Sequence, residues 1–239
     1  MQIWAHRGAS AVAPENTMAA FEAALHMGAD AIELDVHRSA DGVLVVIHDE
    51  TVSRTTQGRG SVETAPFAWL QTLDAGYKFG RQYLGQKIPK LAEVLEFIKG
   101  TNLLVNIELK TNKVPYPGIE EQVVKLVEDL QLQDRIVFSS FNYRSLEHVQ
   151  SLNKGLSTAM LCSEFRPVVP QEVKRFGATA VHPAVSLISP QYMQQALQLG
   201  VAVRPYTVDD PAVIRRIQAA GVDAVITNHP GVAKNALSS

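Results

Sequence analysis

Short apolar runs alternate along the chain with longer stretches of helical spacing. Eight runs read as buried strands: QIWAHR, AIELDV, LLVNIEL, RIVFSSF, LSTAML, TAVHPA, VAVRPYTV and DAVITN. Between these runs lie segments with helical spacing. One is YPGIEEQVVKLVEDLQL, in which Val123, Val127 and Leu130 share one helical face. Another helix is expected to open with Asn16 as its N-cap and to close at Gly28. The alternation predicts an α/β protein, a closed (β/α)8 TIM barrel, with a doubly wound open sheet as the alternative, since a strand count does not establish closure.

The alternation is interrupted after the second strand. VLVVIHD follows the turn signal Asp41-Gly42 too closely for a helical crossover, so it reads as the second strand of a hairpin. Residues 50–90 then show little periodicity but hold many Gly, Thr and aromatic residues. Disordered segments rarely contain so many aromatics, so residues 50–90 are expected to form a small inserted subdomain within a single domain spanning 1–239.

Composition narrows the class of protein. The chain has 239 residues, 46% hydrophobic and 19% charged, as is typical of a soluble globular domain. A net charge of -2 indicates neither a nucleic-acid partner nor a membrane surface, and no apolar run approaches the ~18 residues of a membrane span. Cys162 is the single cysteine, and the N-terminus lacks a signal-peptide pattern, so we expect a cytoplasmic location. The sequence leaves the oligomeric state open.

Charged residues interrupt two strands that should be aliphatic. Glu33 and Asp35 alternate with apolar residues in AIELDV, as do Glu108 and Lys110 in VNIELK, so each pair shares a strand face. If the aliphatic residues face the helices, these side chains converge inside the barrel mouth. Three converging carboxylates repel one another unless a hard divalent cation joins them, and magnesium, calcium and manganese all suit oxygen ligands. The alternative is an ordinary salt bridge to Lys110 or Arg38.

Two histidines lie at strand ends on the same rim. His6 ends the first strand and His48 ends the hairpin strand, where a pair can divide general base and general acid work. Arg7 and Lys110 add permanent positive charge, which is typical of a site for a phosphoryl group. Two histidines favour a diester, because the attacking group loses a proton and the departing alcohol gains one.

The stretch AHRGASAVAPENTMAAFEAALHMGADAIELDVHRSADGVLVVIHDETVSRTTQGRG closely resembles the N-terminal signature of the glycerophosphodiester phosphodiesterases, of the bacterial cytoplasmic type, and weaker likeness continues through IPKLAEVLEF, NIELK, SSFNYRSL, YTVDD and GVDAVITNHPG. The resemblance implies a (β/α)8 barrel with a small insertion and cleavage of glycerophosphodiesters to glycerol 3-phosphate and an alcohol. It implies the following roles: His6 and His48 as the acid–base pair, Arg7 and Lys110 as phosphate contacts, and Glu33, Asp35 and Glu108 as ligands of one divalent cation, magnesium or calcium.

Two positions depart from the family pattern. Tyr206 stands where the family often has Trp, and either ring could line a glycerol pocket. Asn228 stands where the family often has Asp, so the role of its loop is open, as is that of His182, which is either a substrate contact or structural.

Three functions remain in competition at this point. Besides the glycerophosphodiesterase, a related barrel enzyme could cleave lysophospholipids or sphingolipids, with Phe67, Trp69 and Phe79 as an apolar mouth. A non-catalytic phosphate-binding barrel ranks last, because the whole set of histidines and carboxylates is retained. The order of the two histidines, and water or the glycerol hydroxyl as nucleophile, are both left open.

Overall fold

The computed structural model describes residues 1–238 and contains nine strands and nine α-helices in that range. The strands are β1 Gln2–Ala5, β2 Ala31–Arg38, β3 Leu44–Val46, β4 Leu104–Leu109, β5 Ile136–Ser140, β6 Ser157–Cys162, β7 Ala180–Pro183, β8 Ala202–Val203 and β9 Ala224–Thr227. The helices are α1 Met18–His26, α2 Phe67–Leu70, α3 Leu91–Lys99, α4 Ile119–Asp129, α5 Tyr143–Leu152, α6 Pro170–Phe176, α7 Pro190–Leu199, α8 Pro211–Ala219 and α9 Pro230–Ser238.

Eight of the strands form a parallel barrel. Their order is β8-β7-β6-β5-β4-β2-β1-β9, with every neighbouring pair parallel. The ends of this path meet through backbone hydrogen bonds from Asp223 to Val203 (3.0 Å) and from Ile226 to Pro205 (3.0 Å). The predicted TIM barrel is therefore confirmed and the open doubly wound sheet is excluded.

Strand residues alternate between two apolar environments. Outward aliphatic residues such as Ile32, Leu34 and Ile107 pack in one large core with residues of the surrounding helices. The inward set forms a separate cluster around Trp4. Side chains alternate between these two faces along a strand, so Glu33, which stands between the outward Ile32 and Leu34, lies on the inward face.

A single tryptophan closes the lower part of the barrel. Trp4 is 0% exposed, and its ring is met edge-on by His182 and covered by the Arg204 guanidinium at 4.4 Å. Alanines from five strands make room for the indole, and they are Ala31, Ala159, Ala180, Ala202 and Ala224. Small side chains around one large ring fill the narrow interior at close-packed density.

The hairpin strand β3 pairs antiparallel with the end of β2, as the Asp41-Gly42 signal predicted. Residues 50–90 follow it as an excursion with α2, a short 3₁₀ turn at Arg81–Tyr83 and an apolar cluster that also includes Val45 and Ile47 of the hairpin segment. That cluster includes Val52, Phe67 and Leu70. The excursion contacts the loop after β1, where the Tyr83 hydroxyl donates to the Val12 carbonyl at 2.6 Å.

The first helix begins one residue later than the sequence analysis predicted. Thr17 is the N-cap of α1, and its hydroxyl accepts from the amide of Ala20. Asn16 instead adopts a left-handed φ of 56°, and its side chain turns toward Asp35. The predicted cap was wrong because two capping residue types stand side by side and a distant carboxylate binds one of them.

The buried Trp4 ring gives a direct test of the barrel core. Trp4→Ala is expected to lower the free energy of unfolding by about 3–5 kcal/mol, because the surrounding alanines cannot fill the space that the indole leaves. Urea unfolding followed by circular dichroism measures the change. The matched control is Phe165→Ala at a side chain 99% exposed, expected to change stability by less than about 0.5 kcal/mol. Equal effects of the two substitutions would show that Trp4 does not hold the barrel together.

Candidate active site

The loop after β1 is fixed tightly against β2. Arg7 and Gly8 both have left-handed φ values, 57° and 78°. A Cβ on Gly8 would lie 2.7 Å from the carbonyl carbon of Ala20, so the loop packs on α1 only with glycine there. The Arg7 amide donates to Glu33 Oε2 at 2.7 Å, and the Arg7 carbonyl accepts from the Asn16 amide at 3.0 Å. These bonds hold Arg7 at the barrel mouth.

Three carboxylates converge beside this loop. Parallel pairing sets Asp35 level with Glu108, and Glu33 precedes them on the same inward face. Oxygens of the three residues lie within 4.8 Å of one another, and all three side chains are buried. Lys110 Nζ lies 2.8 Å from Glu108 Oε1 and 3.5 Å from Asp35 Oδ1. The salt-bridge alternative is thus present for Glu108, but Asp35 Oδ1 is buried without a hydrogen bond.

Negative charge is in excess within this cluster. Burial, followed by the charges of Asp35 and Glu108, raises the pKa of Glu33 well above its ordinary value. Burial also raises the pKa of Glu108 to about 7, although Lys110 opposes the rise. For Asp35, burial would raise the pKa, but the charges of Lys110 and Arg7 hold it below its ordinary value. The donor set is all oxygen, and Asp35 Oδ1 accepts no hydrogen bond and has only the 3.5 Å ion pair to Lys110, so the cluster fits a hard divalent cation.

A chain of hydrogen bonds fixes the tautomer of His6. Asn228 donates its Nδ2 to Asp209 Oδ2 at 2.7 Å, so its Oδ1 is the acceptor for His6 Nδ1, also at 2.7 Å. The proton of neutral His6 therefore sits on Nδ1, and the lone pair sits on Nε2, which lies 4.0 Å from Glu33 Oε2. Burial, with the nearby Arg7 charge, lowers the pKa of His6 to about 4. At neutral pH, Nε2 is a free base.

His48 is oriented in a similar way from the other side. Strand β3 ends at Val46, and the backbone carbonyl of His48 accepts from His37 Nε2 at 3.1 Å. His48 Nδ1 donates to Asp49 Oδ1 at 2.6 Å, which leaves Nε2 to accept or release a proton. Burial lowers the pKa of His48, and Asp35 and Asp49 act against that shift.

One cavity of about 210 Å³ joins these residues, and it has a charged side and an apolar side. The charged side consists of His6, Arg7, Glu33, His48, Glu108 and Lys110. Phe141, Leu161, Tyr206 and Ile226 form the apolar side, and Asn106 contributes the neutral polar group. The Tyr206 hydroxyl donates to the Cys162 carbonyl at 3.0 Å, so its ring is held in place. Asp35 lies behind the wall, in contact with Arg7 and Lys110.

His182 does not line this cavity. Its ring is fully buried against Trp4, and both ring nitrogens lack hydrogen-bond partners within residues 1–238. The position at a strand end was predicted correctly, but the side chain faces the barrel interior below the site. This placement favours the structural role that the sequence analysis held open for it.

Several supporting residues escaped the sequence analysis. Asn16 donates to Asp35 Oδ2 at 2.8 Å, Asp209 holds Asn228, and Asp49 holds His48. Only Asp49 carried a signal, because it stands next to the histidine it contacts. Asn16 and Asp209 are polar residues in loops, and nothing in their local pattern separates them from ordinary turn residues.

Comparison with known proteins agrees with this geometry. The sequence pattern of the Glycerophosphoryl diester phosphodiesterase family matches residues 6–232. A glycerophosphodiester phosphodiesterase of Caldanaerobacter subterraneus subsp. tengcongensis is 43% identical over 228 residues, which cover 95% of this chain and 93% of that protein. One of Bacillus altitudinis is 37% identical over 237 residues, covering 96% and 95%.

Solved structures show the same barrel. A phosphodiesterase of Oleispira antarctica, solved in complex with the product sn-glycerol-3-phosphate, is 31% identical with a TM-score of 0.89, covering 100% of this chain and 97% of that one. A glycerophosphodiester phosphodiesterase of Agrobacterium tumefaciens is 34% identical with a TM-score of 0.88, covering 98% and 99%.

The fold and the site define a phosphoric diester hydrolase built on a TIM barrel. The chain belongs to the glycerophosphodiester phosphodiesterase family. Within residues 1–238, no helix combines the length and apolar character needed to cross a membrane.

The raised pKa of Glu108 predicts that cation affinity depends on pH. Below about pH 7 the metal-free carboxyl is protonated, so a cation must displace that proton; above it the carboxylate is already ionised. Affinity for Mg²⁺ or Ca²⁺ is therefore expected to strengthen as pH rises through 7 and to weaken below it by about tenfold per pH unit for each carboxyl proton displaced, Glu33 being a second such carboxyl because its pKa is also raised. Calorimetry at pH 6 and pH 8 in two buffers measures affinity and proton release together. Equal affinity with no proton release would contradict the protonation of Glu108.

Proposed function

We propose that this protein catalyses the metal-dependent hydrolysis of glycerophosphodiesters to glycerol 3-phosphate and an alcohol. The observation that carries the proposal is the meeting of two oriented histidines, three buried carboxylates and two cationic side chains around one small cavity. The complex of the Oleispira antarctica relative with sn-glycerol-3-phosphate supports the same product here. The substrate is then a small molecule, with its glycerol carbons against the apolar side at Tyr206 and its phosphate against the charged side.

Arg7 and Lys110 are the proposed phosphate contacts. Burial alone would lower the pKa of Lys110, but Asp35 and Glu108 raise it above its ordinary value, so the ammonium keeps its charge. Arg7 keeps its charge for a similar reason. Two permanent cations can hold the phosphoryl oxygens while charge accumulates on them during the reaction.

Glu33, Asp35 and Glu108 would hold the divalent cation, and magnesium and calcium both suit their oxygen atoms. When bound, the cation supplies positive charge beside the phosphoryl group and neutralises the excess negative charge of the three carboxylates. The raised pKa values of Glu33 and Glu108 show how poorly this cluster tolerates full ionisation alone.

His6 is the proposed general base and His48 the proposed general acid. His6 presents an unprotonated Nε2 at neutral pH because its pKa is about 4 and Asn228 fixes its tautomer. Burial lowers the pKa of His48 as well, but Asp35 and Asp49 oppose that shift, and the Asp49 carboxylate on Nδ1 stabilises an imidazolium better than the neutral Asn228 amide on His6 does, so His48 is the proposed proton donor. His6 then takes the proton of the nucleophile, which is water or the neighbouring glycerol hydroxyl, and His48 gives one to the departing alcohol.

The excursion is proposed to act as an inserted subdomain over the alcohol side of the site. His48 directly precedes it in the chain, so an alcohol protonated by His48 leaves toward residues 50–90. The lipid substrates considered from the sequence are less favoured, because most of the proposed apolar mouth for an acyl chain is not exposed. Phe67 is buried and Trp69 packs on the apolar cluster of the excursion, so of the three aromatics considered for an acyl-chain mouth, only Phe79 remains exposed.

A direct assay tests the proposed reaction and its metal requirement. The protein is expected to release glycerol 3-phosphate from glycerophosphocholine, to lose this activity in excess chelator, and to regain it with Mg²⁺ or Ca²⁺. Glu33→Gln should prevent the recovery at modest metal concentration, because one ligand oxygen loses its charge.

The matched control is Glu22→Gln, an exposed glutamate on α1, which should behave as wild type. Full turnover in excess chelator would remove the metal from the mechanism. A strong preference for lysophospholipids over glycerophosphocholine would favour the lipid function instead.

The division of labour between the histidines predicts different responses to the leaving group. A nitrophenolate needs little protonation as it departs, so His48→Ala should regain much of its rate on a glycerol nitrophenyl phosphodiester. His6→Ala should stay slow on both substrates, by about 100- to 10,000-fold. The measurement is kcat for both variants on the aryl diester and on glycerophosphocholine. Equal losses on both substrates would indicate that the histidines position other groups rather than transfer protons.

A further inference from the structure

One arginine of the excursion binds two carboxylates at the rim of the active site. Arg54 Nε donates to Asp49 Oδ2 at 2.6 Å, and Nη2 donates to Asp49 Oδ1 at 3.1 Å. On the other side of the same guanidinium, Nη1 and Nη2 donate to the two oxygens of Glu15, both at 2.7 Å. The fork of Arg54 is thus bidentate toward both partners.

Each of these carboxylates contacts a residue of the catalytic cavity. Asp49 accepts from His48 Nδ1 at 2.6 Å, and Glu15 accepts from Arg7 Nη1 at 3.0 Å. The proposed general acid and the proposed phosphate contact are therefore joined by an unbroken series of hydrogen bonds. The series runs from His48 through Asp49, Arg54 and Glu15 to Arg7. Both ends lie on the cavity wall, whereas Arg54 itself does not.

We propose that Arg54 is a positioning residue for the phosphodiesterase reaction, and that its guanidinium fixes His48 through Asp49 and Arg7 through Glu15 at the same time. The inference rests on the function proposed above. It gives the excursion a defined part in the chemistry, because the loop that carries Arg54 must be in place for either contact to form.

The geometry explains why an arginine is needed at this position. A planar fork offers donors along two edges, so it can hold two carboxylates in fixed orientations, whereas a lysine ammonium offers one point of charge. Without Arg54, Asp49 would keep only its contact with His48 and Glu15 only its contact with Arg7, so neither carboxylate would be held from its other side. Hydrogen bonds from His48 and Arg54 hold the pKa of Asp49 at about 2 against the effect of burial, so the carboxylate stays ionised as an acceptor.

Rate and ligand affinity separate this positioning role from a structural one. The Arg54 side chain is 45% exposed, but its ion pairs are bidentate and form a network, the kind of surface pair that does add to the free energy of unfolding. Removal of Arg54 is therefore expected to lower the melting temperature somewhat, and also to lower the rate and ligand affinity of the protein that remains folded. A residue that only holds the fold together would leave the kcat and affinity of the folded protein unchanged.

The test compares Arg54→Ala with Arg59→Ala, an exposed arginine of the same excursion. Three quantities are measured: kcat on glycerophosphocholine, the affinity for glycerol 3-phosphate by calorimetry, and the melting temperature. Arg54→Ala is expected to lower kcat and to weaken glycerol 3-phosphate binding by about 10- to 100-fold each, the usual effect of losing a charged hydrogen bond. Rate and binding are measured well below the melting temperatures of both variants, so that folded protein is compared with folded protein.

Two further variants separate the two sides of the guanidinium. Asp49→Asn should reproduce the loss in kcat with product affinity nearly intact, and Glu15→Gln should reproduce the loss in affinity. Guanidinium in the assay should partly restore Arg54→Ala, because a cavity of about 180 Å³ lined by Arg54 and Glu15 gives it access. Arg54→Lys should restore only part of the loss in kcat or in glycerol 3-phosphate affinity, because a lysine cannot bind both carboxylates bidentately. It replaces Arg54→Ala in the test if that variant fails to fold.

Parallel behaviour of Arg54→Ala and Arg59→Ala would overturn the proposal, and so would a loss confined to one of the two measurements. A wild-type protein that binds glycerol 3-phosphate but does not cleave glycerophosphocholine would contradict the proposed function instead. In that case the binding measurement still decides whether Arg54 acts on Arg7.

Discussion

The burial of three carboxylates at one point is the constraint on which the rest of the site depends. Glu33, Asp35 and Glu108 face two cations, the buried Lys110 and the half-buried Arg7, so the cluster retains a net negative charge when all three are ionised. Water cannot screen charges in this position, and the cost appears as raised pKa values for Glu33 and Glu108. Much of the surrounding structure serves to hold positive or hydrogen-bonding groups against these oxygens.

The unusual backbone of the first loop follows from that requirement. Arg7 and Asn16 take left-handed conformations, which cost energy for residues other than glycine. In return the Arg7 amide reaches Glu33 and the Asn16 side chain reaches Asp35. The electrostatics of the barrel mouth thereby decide the local conformation of a loop whose sequence alone predicts an ordinary helix cap.

Strong periodic patterns allowed most of the fold to be predicted from the sequence. All eight barrel strands were visible as apolar runs, and α1 and α4 as segments of helical spacing. Helix α6 was missed because it has only seven residues, and α9 because small residues, Pro230, Ala233 and Ala236, occupy its buried positions. Strand β8 is shorter than its apolar run because Pro205 limits regular pairing. The charged residues and histidines of the cavity wall were visible as polar residues within apolar strands or at their ends, whereas Phe141, Leu161 and Ile226 on its apolar side were not predicted. The residues that support this wall were not predicted either, since Asp209 and Arg54 reach the site only through tertiary contacts.

The buried Trp4 ring leaves the barrel interior open at one end only. With Trp4 and its ring of alanines closing the interior from below, the mouth at the strand ends is the way in for substrate and the way out for both products. A molecule seated against the apolar wall at Leu161 and Ile226 therefore enters and leaves through the same mouth, past the histidines and cationic side chains that line it.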